Sequence, residues 1–179
     1  MTPFEITLHP SAGRSSAPPV RMGSLSFAAS ARKNVEAAFA YLSRDVVEQT
    51  LIDRLLHAST HHRIVINHHD DDSYDPNTRA IHWDPHSALQ TTLGGRQSPA
   101  LGLGHEIDHA VANPYLEDRL ASIPDLDYDN AEERRVVLGS EHHAANTLHE
   151  AIRYDHSGVC YKVDSPIARR SFDKLRMTG

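Results

Sequence analysis

Apolar residues recur every three to four positions over residues 30–57, at Val35, Ala38, Phe39, Leu42, Val46, Val47, Leu51, Leu55 and Leu56. That spacing keeps one face of a helix apolar, so the segment is expected to be helical and to pack on a core. The period then changes. Arg63-Ile64-Val65-Ile66-Asn67 is short and β-branched and predicts a strand. Arg79-Ala80-Ile81-His82-Trp83-Asp84-Pro85 predicts a second strand, stopped by proline. Between them, residues 70–77 read as a turn or loop. Its clustered aspartates lack the glycine and distal glutamate of a calcium-binding EF-hand loop. Residues 90–95 are also expected to be loop.

A helical period returns at Leu101, Ile107, Ala110 and Val111. Ser98 suits the N-cap, Pro99 suits the first helical position, and Asn113-Pro114 supplies the stop. Gly102 and Gly104 each weaken this helix by roughly 1 kcal/mol relative to alanine. In a buried helix such small residues mean that another element passes close by. Residues 115–130 are acidic and turn-rich. A long helix is expected from about residue 130 to 153, capped by Asn130 or Asp129, with Gly139-Ser140 as a point of breakage or bending. A turn and a short strand follow over residues 154–163.

The ends differ from the middle. Residues 1–30 hold six serines, four prolines and one acidic residue, Glu5, without a long apolar segment. They are expected to form a flexible arm, either an unstructured secretion signal or a plain disordered end. From residue 165 onward no period is visible, and a disordered tail over 165–179 is expected. The organisation is therefore one α+β domain over residues 31–164, flanked by an arm and a tail.

Composition narrows the function. In 179 residues, 39% hydrophobic content suffices for one modest core, and no apolar run approaches the roughly 20 residues that span a bilayer. The net charge of −6 offers no basic field for nucleic acid or anionic membrane. A single cysteine, Cys160, rules out an intramolecular disulfide framework. The anomaly is 14 histidines. His61-His62, His68-His69 and His142-His143 are adjacent pairs whose side chains point different ways, which suits surface positions better than shared ligation.

His105-Glu106-Ile107-Asp108-His109 is different. Residues four apart share a helix face, so His105 and His109 can reach one metal ion. Glu106 follows the first histidine directly, which sets its carboxylate beside the ion, where a general base would stand. With this composition, chance alone would produce the pattern about once in twenty such chains, so the capped helix around it carries part of the argument. A catalytic zinc site needs a third protein ligand. The residues after His109 (Ala-Val-Ala-Asn-Pro) offer none, whereas Glu132 and Glu133 open the next long helix, 23 and 24 positions on. Adjacent positions differ by about 100° around a helix, so only one can face the ion. Glu133 is favoured and Glu132 is the alternative. Both would equally stabilise a helix N-terminus without any metal. Glu141, Asp108 and Glu150 are candidates to orient a ligating histidine.

Four blocks in this order carry a resemblance: Ile81-His82-Trp83-Asp84-Pro85, Ser98 to Ala110, Glu132-Glu133-Arg134-Arg135 to Gly139, and Asn146 through Arg153 to Tyr161. Together they resemble the type III-secreted zinc metallopeptidase effectors of Gram-negative pathogens, the NleD-like and HopH/XopG-like family, which is distantly similar to clostridial neurotoxin light chains. The resemblance covers residues 60–164. It implies a minimal zincin-like metallopeptidase with a small mixed sheet and Zn²⁺ at His105, His109 and a glutamate of the 132–133 pair. It also implies Glu106 as base and a late tyrosine supporting the oxyanion, here Tyr161. Two departures stand out. The Glu-Glu to glycine spacing is one residue longer than in the family. The family's arginine three residues before the late tyrosine falls at Gly158, which leaves Arg153 as a substitute. The implied function is a zinc endopeptidase, secreted and delivered into a host cell to cleave a host protein. A non-catalytic zinc-containing module that binds a host protein, and a metallohydrolase of a non-peptide amide, are the alternatives.

Overall fold

The β-branched run at Ile64 forms β3 (His62–Ile66), the central strand of a mixed sheet in the computed structural model, which describes residues 17–170. Around it lie β1 (Val20–Met22), β2 (Leu25–Phe27), β4 (Ser73–Asp75) and β5 (Ala80–Trp83), in the order β1-β2-β3-β5-β4. β2, β3 and β5 run parallel, while β1 and β4 are antiparallel edges. The fold class is α+β.

Helices α1 (Arg32–Leu42) and α2 (Val46–Leu56) cross from β2 to β3. Their stripe of Val35, Phe39, Leu42, Leu51 and Leu55 is buried with Leu25, Phe27, Ile64, Ile81 and Trp83 of the sheet. Each such side chain contributes about 1.5–3 kcal/mol when taken out of water. One continuous helix was the expectation over residues 30–57. The chain instead turns at Asp45, whose carboxylate accepts hydrogen bonds from the amides of Val47 and Glu48 at 2.9 and 3.0 Å and so starts a new helix.

Helix α3 (Pro99–Val111) is buried on nearly every side. It starts as its sequence dictates: the Ser98 hydroxyl accepts from the Leu101 amide, and Pro99 occupies the first turn. Two close approaches explain its glycines. A Cβ at Gly102 would stand 2.9 Å from Asp72 Oδ2, and one at Gly104 would stand 2.5 Å from Glu48 Oε2. The Trp83 indole donates to the Pro99 carbonyl at 2.8 Å, fixing the sheet to the helix start.

Several expectations are corrected. The arm expected over residues 1–30 ends earlier, because Val20–Met22 and Leu25–Phe27 pair as a hairpin whose Leu25 and Phe27 enter the core. Residues 1–16 lie outside the described residues. The loop expected over residues 90–95 is a short hairpin turn between β6 (Ser87–Thr91) and β7 (Arg96–Gln97). Pro114 does not only stop α3 but opens α4 (Pro114–Ala121), capped by Asn113. A small hairpin of β8 (Pro124–Asp125) and β9 (Asp129–Asn130) follows. The long helix becomes α5 (Ala131–Val136), a π turn at Val137–Glu141 and α6 (His142–Leu148), which stops at His149 in the left-handed region (φ 56°). β10 (Gly158–Lys162) pairs with β6 in a three-stranded sheet. The tail expected from residue 165 is held at its start, since the Ala100 amide donates to the Pro166 carbonyl at 2.7 Å. Residues 171–179 lie outside the described residues.

Candidate metal centre

The one-turn spacing of His105 and His109 brings their Nε2 atoms to 3.1 Å from each other. Glu133, from the first turn of α5, sets its Oε2 3.0 Å from His105 Nε2 and 3.3 Å from His109 Nε2. Glu132 instead faces the other nitrogen of His109, with Oε1 3.4 Å from Nδ1. On the far side of His105, Nδ1 meets Glu141 Oε2 at 2.9 Å. Carboxylate oxygens thus lie against both nitrogens of each ring, and the two Nε2 atoms converge on Glu133 Oε2. Three acceptors facing one another repel unless a cation or proton lies among them. Ligand atoms on a tetrahedral ion with bonds of about 2.0–2.1 Å stand about 3.3–3.4 Å apart. The observed triangle is close to one face of that tetrahedron. The donor set thus fits a divalent ion, though spacing alone does not select zinc.

His156 was not among the residues singled out in the sequence. Its Nε2 lies 3.3 Å from Glu133 Oε2, its ring stacks on His105 at 5.8 Å, and its Nδ1 is held 2.7 Å from Asp129 Oδ2. His105, Glu133 and His156 by themselves also form a group with ligand atoms within 4.8 Å of one another. Nothing in the sequence marked His156 out of 14 histidines, except its place three residues after Arg153.

The π turn explains how Glu133 and Glu141 reach opposite nitrogens of one ring. Eight residues along an ideal α-helix leave the second about 80° away from the first. A π turn bonds to the fifth residue and takes up about one residue more per turn, which returns Glu141 to the side of Glu133. Ser140 anchors the turn by donating to Asp108 Oδ2, and Arg135 ties Asp108 (2.9 Å) to Glu132 (2.6 Å). Arg153 and Gln97 hold Glu141 through its Oε1 at 2.7 and 2.8 Å. Glu150 touches neither histidine. It accepts from the Ser98 hydroxyl and the Tyr41 hydroxyl, each at 2.7 Å, and fixes the start of α3.

Electrostatics follow from this packing. Burial favours neutral imidazoles, but the surrounding carboxylates outweigh it, and the pKa values of His105 and His109 are raised. Burial also opposes ionisation of Glu133, yet its bonds to the two histidines hold it well below the usual carboxylate range. Glu132, against Arg135 and His109, is lowered to about 2 despite its burial. Glu106 is 7% exposed and accepts no hydrogen bond among the described residues. Burial, with Glu133 adding to it, raises its pKa, while the histidines work the other way.

Glu106, His105, His156 and Asp72 together line two cavities, of about 270 and 300 Å³. The first lies between the residue 70–72 loop and β10, the second between β4 and the start of α5. A larger groove of about 700 Å³ crosses the sheet near Ser26, Arg63 and Val65, away from this cluster.

Tyr161 does not join the site. Its hydroxyl donates to the Arg169 carbonyl at 2.8 Å and its ring lies under Arg96. Side chains alternate along a strand, so Gly158 and Cys160 face the first cavity while Tyr161 points to the opposite face of β10. Comparison of the chain with protein-family models, curated proteins and solved structures found no match.

Proposed function

We propose that this chain is a zinc-dependent endopeptidase of zincin-like build, with His105, His109 and Glu133 holding the ion. The observation that carries the reading is the meeting of three metal-ligating atoms beside a buried carboxylate, Glu106, that accepts no hydrogen bond among the described residues. Zinc bound there would polarise a scissile carbonyl and bring the pKa of water towards about 7. Glu106 takes the proton of the attacking water and passes it to the leaving nitrogen. Its burial and raised pKa suit a group that must both accept and release that proton. His156, held through Nδ1 by Asp129, turns its Nε2 towards the cluster, where it would contact the oxygen of the tetrahedral intermediate. Glu141, clamped by Arg153, fixes the ring of His105.

The free edge of the five-stranded sheet supports an extended peptide as substrate. Among the described residues β4 pairs only with β5, and Ser73 and Tyr74 of β4 line the second cavity. Backbone hydrogen bonds along such an edge add a substrate strand without regard to its side chains. On the four-block resemblance, the substrate is a protein of a host cell and the chain is a secreted effector.

The test is direct. Purified protein should carry about one equivalent of zinc, and Glu106→Gln should retain the metal while losing cleavage of proteins in host lysate, followed by mass spectrometry. A Glu106→Gln variant as active as wild type would refute the mechanism.

A further inference from the structure

The carboxylates around the first cavity are not all neutralised. Asp70 is paired with Lys162 at 2.6 Å, and the same ammonium reaches Asp84 at 2.8 Å. Glu141 is paired with Arg153. Asp72 has no such cationic partner among the described residues. Its Oδ1 accepts from the uncharged backbone amide of Asp84 at 2.7 Å, and its Oδ2 accepts no hydrogen bond among the described residues. That free oxygen lies over α3 at Gly102, where even a methyl group would come within 2.9 Å of it. The chain therefore carries a helix-weakening glycine at the one place that gives this carboxylate room. Burial pushes the pKa of Asp72 up to about 8, and the charges of Glu106 and Asp84 add to the effect against its amide bond. A carboxyl so placed gains most from meeting a cation. Unlike half-buried Asp72, the Glu106 carboxylate is buried; it too lines the cavity and accepts no hydrogen bond among the described residues. At about 270 Å³ the space suits one long side chain.

We propose that this cavity takes a lysine or arginine side chain of the substrate next to the scissile bond, with Asp72 as the specificity-determining residue. The inference rests on the reading of the cleft as a peptidase site. Asp72 ends the cavity as a carboxyl group that a bound cation would ionise and pair with, and Asp71 adds a second carboxyl group at its rim. A hydrogen-bonded charge pair in such a site discriminates against a neutral side chain of equal length by about 10–100-fold.

Two measurements on the zinc-loaded full chain decide it. In the first, n-butylguanidinium, n-butanol and Ca²⁺ are titrated separately, following the backbone amide resonances of Gly102, Gly158 and Cys160. The guanidinium should shift them at concentrations about tenfold or more below n-butanol, and Asp72→Asn, which keeps an oxygen for the Asp84 amide, should erase that difference. Equal responses to the two organic probes, an unchanged response in Asp72→Asn, or saturation by Ca²⁺ in preference to the guanidinium would overturn the assignment. The wild-type comparison stands even if the variant does not fold. In the second, peptides varied at each position around a cleavage site should be cut about tenfold or more faster with lysine or arginine than with norleucine at one position. Asp72→Asn should lose this preference, the ratio of basic to norleucine cleavage rates falling to near one. Cation selectivity without any cleavage would keep the cavity assignment and sink the peptidase reading; cleavage without basic preference would do the reverse.

Discussion

Glu48 lies beneath the helix that carries both histidines, fully buried, with neither carboxylate oxygen hydrogen-bonded among the described residues. Burial, reinforced by Asp45, Asp108 and Glu141, pushes its pKa from 4.5 up to about 8. Once the pH exceeds 4.5 the unfolded chain releases this proton, while the folded protein keeps it until about 8. Stability is thus lost as the pH rises through that window and levels off above it. The difference corresponds to a loss on the order of 5 kcal/mol by pH 8, and on the order of 3 kcal/mol at pH 7. Glu48→Gln has nearly the same shape and no proton to lose, so it should stabilise the protein at neutral pH and above. For a chain of this size, 3 kcal/mol corresponds to roughly 6–12 °C in Tm. The assay is chemical denaturation of the metal-free wild type and variant at pH 5 and pH 8. Metal-free protein avoids the change in charge at His105 on metal binding. The two proteins should lie close together at pH 5 and separate by several kcal/mol at pH 8. Parallel pH dependences would refute the claim that Glu48 is held neutral in the folded state.

Glu141→Gln should weaken metal affinity by about 10–100-fold, because it loosens the ring of His105, measured by competition with a chelating dye while the circular dichroism spectrum is unchanged. Metal must displace a proton from the histidine pair, whose pKa values the surrounding carboxylates raise. Affinity should therefore climb as pH rises above 7, with proton release measurable in a weakly buffered titration. Gly104→Ala, despite a helix-propensity gain of about 1 kcal/mol, should destabilise by about 1–3 kcal/mol because its methyl meets Glu48. Gly139, whose Cβ would meet nothing within 4 Å, provides the opposite control in denaturation. His156→Ala should lower kcat by about a hundredfold with the zinc content unchanged, whereas Tyr161→Phe should leave kcat near wild type.

The local signals were the legible ones. Ser98, Pro99 and the one-turn spacing of His105 and His109 act within a single helix, so sequence alone determined that helix and the shared face of its two imidazoles. The strands at Ile64 and Ile81 were readable for the same reason, a β-branched run in the first and an apolar stretch stopped by proline in the second. Asp45 also carried a local message, a helix cap in mid-stripe, that apolar periodicity concealed. What joins segments was not legible. Between Glu132 and Glu133 the helix rotation left a choice, and only the packing of α5 on α3 turned Glu133 towards the Nε2 atoms. The π turn that aligns Glu141 depends on Ser140 reaching Asp108, 32 residues away. The parity of β10 is fixed by its register with β6, with Cys160 opposite Leu89 and Tyr161 opposite Ala88, and this turned Tyr161 outward. His156 entered the site through Asp129, a partner 27 residues distant. Backbone propensities and caps act over a few residues, whereas the direction of a side chain across a cleft is set by contacts that exist only after the chain has closed on itself.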